Sequence, residues 1–247
     1  MATVSINLDL KQTVGSTIES YPTSLEVFEK FGIDYCCGGK KSLEEACLER
    51  GIEPEKLMSA IDKANAASNS TFQDSIDWTK ASLRELIGYI IAKHHTYTLS
   101  EIERLGRLSE KVVSVYAEKQ PSLYRVQELF LELAEDLKPH LMKEENILFP
   151  YIRRLEEEAK LPIAFFGSVT NPIQMMDTEH EKAGAILKEL KHLTQDYTPP
   201  PDVCFTYKRF FDGLKEFEAD LHRHINLESN ILFPRAIRLE ASYRVLV

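Results

Sequence analysis

From Ser82 onward the apolar residues recur in steps of three and four, the spacing of one buried face on an α-helix. Ser82 followed by Glu85 is a capping-box signature and opens a helix that runs to about Glu118, just before Pro121. A second helix is predicted from about Ser122 to Ala159, then a looser segment over 160–171. Asn171-Pro172 supplies an N-cap and a first-turn proline for a third helix ending near Leu193. Pro199-Pro200-Pro201-Asp202 stops the chain and starts a fourth, which reaches about Glu240. Four long helices with short connections predict an all-α, up-down four-helix bundle over 80–247. Residues 1–64 have a different texture. Gly15, Pro22, Gly32, Gly38-Gly39, Gly51 and Pro54 punctuate short apolar runs, which suits a small domain of three or four short helices started at Thr23 or Ser42. Residues 65–79 are small and polar and read as a linker.

The apolar stripes carry polar residues with them. The second helix presents Leu133, Leu137, His140, Glu144, Ile147 and Tyr151 on one face; the third presents Ile173, Met176, His180, Gly184 and Leu187. The fourth presents Phe210, Leu214, Phe217, Leu221, His224, Glu228 and Ile231. On the first helix, His95 continues from Ile91 toward Leu99 and Ile102, whereas the row of its neighbour His94 leads to Thr98 and Glu101 and is expected to face away from the core. His222 falls on a polar row with Glu218, Asn226 and Ser229, and His192 ends a helix among charged residues.

These positions repeat. His140-x-x-x-Glu144-x-Asn-Ile-Leu-Phe-Pro150 recurs as His224-x-x-x-Glu228-x-Asn-Ile-Leu-Phe-Pro234, an offset of 224 − 140 = 84; His95 and His180 lie 180 − 95 = 85 apart. Residues i and i+4 of a helix point the same way, so each His-x-x-x-Glu offers a nitrogen and a carboxylate in one direction. Six such groups facing one core need a common partner, since buried carboxylates are costly unless paired or metal-bound. The stripes hold no lysine or arginine to pair with them. Imidazole plus carboxylate without thiolate points to iron or manganese ahead of zinc. Two histidines per metal, with two carboxylates bridging both and an oxygen bridge, leave positions open for a small molecule. Pro150 and Pro234 predict matched bends, and Pro139, which has no counterpart in the other half, is expected to skew His140.

A net charge of −9 argues against nucleic acid or an anionic membrane as the main partner. No apolar run is long enough for a membrane span and no export signal is recognisable, so Cys36, Cys37, Cys47 and Cys204 read as reduced thiols and the cytoplasm as the compartment. Cys47 and Cys204 read as core packing. Cys36-Cys37, flanked by Gly38-Gly39 and Lys40-Lys41, reads either as two reactive thiols or as small fillers at a helix end.

The block Asp34-Tyr35-Cys36-Cys37-Gly38-Gly39-Lys40, together with His95, the two His-x-x-x-Glu motifs and Glu179-His180-Glu181-x-Ala183-Gly184, resembles the iron–sulfur cluster repair di-iron proteins of the hemerythrin-like superfamily, over nearly the whole chain. The resemblance implies two iron ions, oxo- or hydroxo-bridged, with His95, His140, His180 and His224 as terminal ligands and Glu144 and Glu228 as bridges. It implies repair of clusters damaged by nitrosative or oxidative stress through donation of iron, with damaged iron–sulfur proteins as clients; Cys36 and Cys37, separated from every ligand by the linker, are expected to act in delivering or receiving iron rather than in holding it. Alternatives are nitric oxide or oxygen reduction at the di-iron centre and a gas carrier or sensor. Against the carrier stands Gly184, where oxygen-carrying hemerythrins resemble a pattern with a fifth histidine. A homodimer is left open.

Overall fold

The computed structural model describes residues 8–35, 38–68 and 76–244. These residues form helices, and one isolated bridge pairs Thr13 with Ser42. The chain divides into two compact units, Met1–Leu86 with Ile225–Arg235 and Ile87–His224 with Ala236–Val247.

In the first unit four short helices pack on one another: α1 (Val14–Ser20), α2 (Ser24–Phe31), α3 (Leu43–Arg50) and α4 (Pro54–Ser68). None is long enough to be stable alone, so each depends on its caps and its buried face. Thr13 caps α1 by accepting from the Ser16 amide, and Ser42 and Glu45 form a reciprocal capping box on α3. Thr23, the other expected start, makes no side-chain cap bond because its own backbone is already helical. Val14, Phe28, Leu43, Leu57 and Ile61 are wholly buried and make the core. Helix α4 continues through residue 64 to Ser68, and residues 69–75 of the expected linker lie outside the described residues.

The long helices follow the expected order but are not uniform. The first comprises α5 (Leu83–Tyr89), a π-helical segment π1 (Ile90–His95) and α6 (Thr96–Tyr116). The second comprises α7 (Ser122–Lys143), π2 (Glu144–Leu148) and α8 (Phe149–Glu157). The third is α9 (Thr170–Leu193); the fourth comprises α10 (Phe205–Asn226), π3 (Leu227–Leu232) and α11 (Phe233–Arg244). Ser82 and Glu85 make the capping box, with the Ser82 hydroxyl donating to Glu85 at 2.7 Å and accepting from its amide at 3.1 Å. Within the second unit α7 packs on both α6 and α9, around a core that includes Leu105, Phe130, Leu133, Leu187, Leu214 and Phe217. Phe130 meets Phe217 edge-on, at 6.0 Å between ring centres.

The π-helical segments account for some of the places where burial departs from the sequence pattern. A π turn carries an extra residue, so the inward-facing set shifts along the chain. Ile147, expected in the core, is half exposed, and Leu148 and Phe149 are buried instead. His94, Thr98 and Glu101, expected to face away from the core, are buried; the Arg104 guanidinium pairs with the Glu101 carboxylate at 2.8 Å and makes that burial tolerable. Glu218 and Asn226, on the expected polar row of His222, are buried too, and Lys191 donates to Glu218 at 3.2 Å. Pro150 and Pro234, where matched bends are expected, each follow a π-helical segment, π2 or π3, that ends just before a Phe-Pro pair. Cys204 is not core packing: it is exposed at the start of α10, where its amide donates to the Tyr116 hydroxyl at 2.9 Å. Cys47 is buried.

Candidate metal centre

The histidines of the repeated motifs reach the interior because their helices are amphipathic along those stripes. His95 ends π1, His140 lies in the last turn of α7, and His224 in the last turn of α10; Glu144 opens π2 and Glu228 lies in π3. His180 sits on α9. All six are buried, with Glu144 and Glu228 wholly so.

Their ligand atoms form two overlapping quartets. His95, Glu144, His224 and Glu228 make one; His140, Glu144, His180 and Glu228 make the other, and within each quartet the nitrogens and carboxylate oxygens lie within 4.8 Å of one another. The carboxylates of Glu144 and Glu228 belong to both. The Nε2 atoms of His95 and His224 are 3.1 Å apart, as are those of His140 and His180. Glu144 lies 3.5 Å from His95 Nε2 and 3.4 Å from His140 Nε2.

The donor set fits a pair of divalent or trivalent cations. Four imidazole nitrogens and two carboxylates converge among buried side chains. Oxygen and imidazole donors without thiolate select first-row metals such as iron or manganese.

The far side of two of the imidazoles is fixed from behind. His95 Nδ1 donates to the Glu145 carboxylate at 2.7 Å, and His140 Nδ1 donates to Glu179 at 2.8 Å. A carboxylate on Nδ1 holds the proton there and turns the Nε2 lone pair toward the cluster. Burial pushes the Glu179 carboxyl up, but Lys143 and His140 outweigh it and hold it below the usual carboxylate range. Lys143 pairs with it directly.

His94, which the sequence pattern turns away from the core, joins neither quartet. It is nevertheless part of the surroundings. Its Nδ1 lies 3.1 Å from both oxygens of Asp220, and its ring stacks on His224 at 5.6 Å with only 6° between planes. The repeat offset offers a signal for this shell: the residue before His95 is His94 and the residue before His180 is Glu179, and both lie against a neighbouring imidazole. His192 is exposed and His222 half-buried, outside both quartets. Cys36 and Cys37 lie outside the described residues.

A helical bundle whose core holds paired histidine and glutamate quartets is a hemerythrin-type cation-binding fold, and the Hemerythrin HHE cation binding domain matches residues 86–236. A second family, ScdA_N, a domain of unknown function, matches residues 10–65. The chain is 34% identical over 226 residues to the iron-sulfur cluster repair protein YtfE of Enterobacter sp. (strain 638), covering 92% of this chain and 96% of the relative. It matches the YtfE proteins of Escherichia coli O8 (strain IAI1) and Shigella boydii serotype 4 with the same identity and coverage. The chain belongs to the YtfE family of iron-sulfur cluster repair proteins, and its buried His/Glu cluster is a metal-binding site.

Proposed function

We propose that this chain holds two iron ions in the buried cluster and repairs iron–sulfur clusters damaged by nitrosative or oxidative stress by supplying iron to the damaged proteins, its clients. The observation that carries the reading is the sharing of Glu144 and Glu228 between two quartets, which suits two neighbouring ions better than one. The relatives are iron-sulfur cluster repair proteins, which supports the rest.

In this reading His95 and His224 hold one ion, His140 and His180 the other, and Glu144 and Glu228 reach both. The bound iron pair supplies a small store of iron that can be handed on. Glu145 and Glu179 keep the Nδ1 protons of His95 and His140 in place, so each Nε2 stays available to its ion. The hydrophobic walls, including Phe149 stacked on the His95 ring at 5.6 Å, limit the entry of water. Cys36 and Cys37 are assigned to receiving or passing iron, since thiolates bind iron well.

The test is reconstitution of the full chain with iron. Two irons per chain are expected, and His95→Ala, His140→Ala, His180→Ala and His224→Ala should each lose at least half of the metal, while His192→Ala keeps it. The double change Cys36→Ser with Cys37→Ser should retain the iron but slow its transfer to an apo-ferredoxin. Stoichiometric loss of iron to the acceptor supports donation. Repeated turnover of nitric oxide with iron retained would assign the chain to reduction at the di-iron centre.

A further inference from the structure

Tyr35 and Gly39, which flank Cys36-Cys37 in sequence, both meet a side chain from the helical segment that carries Glu228. Asn230 lies two residues beyond Glu228 in π3, and both belong to the first compact unit together with α1 to α4. It is buried, and its amide nitrogen donates twice, to the Tyr35 carbonyl at 2.9 Å and to the Asn226 side-chain oxygen at 2.9 Å. Those two bonds fix which way the amide points, so its oxygen faces Gly15 and Gly39.

Both glycines are shaped around that oxygen. A Cβ placed on Gly39 would lie 2.4 Å from Asn230 Oδ1, and its three nearest neighbours would all be atoms of Asn230. A Cβ placed on Gly15 would also lie 2.4 Å from Oδ1. Neither glycine has the positive φ that would demand glycine for the backbone's sake, unlike Gly32 and Gly51. Clearance for Asn230 is what these two positions share. The Gly15 amide donates to the Gly39 carbonyl at 2.8 Å and the Val14 amide to Lys41 at 2.8 Å, which ties the start of α1 to the same turn.

We propose that Asn230 is a positioning residue: it seats in the notch between Gly15 and Gly39, holds the Tyr35 carbonyl, and so fixes both flanks of Cys36-Cys37 to the helical segment bearing Glu228. The role given to the cysteines rests on the functional reading above; the seat itself does not.

The experiment compares the full-length, iron-loaded chain with Asn230→Ala, Asn230→Asp, Gly39→Ala and the double variant Asn230→Ala with Gly39→Ala. Hydrogen exchange at the amides of Val14 and Gly15 reads the seat directly. Asn230→Ala should speed it roughly tenfold, the scale expected for losing one or two buried hydrogen bonds. Asn230→Asp, equal in size but unable to donate to the Tyr35 carbonyl, should do the same, which separates the hydrogen bonds from the volume. Gly39→Ala should match them because it evicts Asn230, yet add nothing once residue 230 is alanine. Exchange unchanged in Asn230→Ala, or an undiminished Gly39→Ala effect in the double variant, overturns the seat. Iron transfer to an apo-ferredoxin reads the consequence: the Asn230 variants should keep two irons and transfer them several-fold more slowly. Faster exchange with transfer at the wild-type rate overturns the positioning role while leaving the repair reading intact. A wild-type chain that transfers no iron fails the repair reading and the positioning role with it, and the exchange result then still decides the seat.

Discussion

At the scale of single residues, Glu240 shows how a buried acid is made affordable without a metal. It accepts from the Tyr151 hydroxyl at 2.6 Å, the Ser168 hydroxyl at 2.6 Å and the Val169 amide at 2.9 Å, and Arg244 approaches it at 3.3 Å. These bonds tie the last helix to the loop that starts α9. Burial pushes the carboxyl up, but Ser168, Tyr151, Val169 and Arg244 outweigh it and hold it below the ordinary value. A group with a depressed folded pKa adds stability above its unfolded pKa, roughly 4.3, and that stability is lost as the pH falls through the folded pKa. Glu240→Gln should therefore cost about 1–3 kcal/mol at neutral pH. The gap between variant and wild type should shrink toward pH 3, as measured by urea unfolding at both pH values. Nothing in the sequence marks this residue, because its partners come from three separate stretches of chain. The six cluster residues were legible for the opposite reason: each sits on a periodic stripe, and the stripes repeat.

At the scale of elements, the four long helices and their order were readable from apolar spacing, a capping box and the proline runs. The π-helical segments were not. Two of them fall beside the Phe-Pro pairs, where a missing amide weakens the α-helical ladder, so proline hinted at an irregularity without saying which kind. The third, over Ile90–His95, has no proline, and it is the one that defeated the separation of His94 from the core. Periodicity at 3.6 residues assumes an unbroken helix, and it loses register by one residue past a π turn. Such turns persist where function holds them. Deleting Ile147 should let π2 relax to α-helix and move Glu144 away from its quartets. The expected outcome is a chain no less stable than the metal-free wild type, by thermal melting, that binds less than half the iron.

At the scale of the whole molecule, the small N-terminal helices and the long helices meet two different demands. The first were legible only as short apolar runs between glycines, since helices this short take their definition from packing and caps. The long ones enclose a cluster of buried histidines and acids that bound cations would stabilise. Metal bound at a hundredfold excess over its Kd adds about 2.7 kcal/mol to the folded state. For the two ions proposed that is about 5 kcal/mol, which in a chain of this size corresponds to roughly 10–20 °C in Tm. Removal of iron with a strong chelator should lower the melting temperature by that amount, and iron should restore it. A melting temperature indifferent to chelation would mean the cluster is held by protein contacts alone. Among the described residues no helix is long and apolar enough to cross a membrane.

The membership of the two quartets has a consequence for how the chain is made. His95 pairs with His224 and His140 with His180, so each quartet draws one histidine from the first copy of the repeat and one from the second. Neither copy holds a complete set, and both quartets require Glu228. As the chain emerges from the ribosome, the first half can fold its helices but has nothing with which to close around an ion. Neither quartet is whole until almost the last helix has been synthesised, so under the proposed reading iron loading comes at the end of biogenesis, and a product truncated before Glu228 is expected to hold less metal.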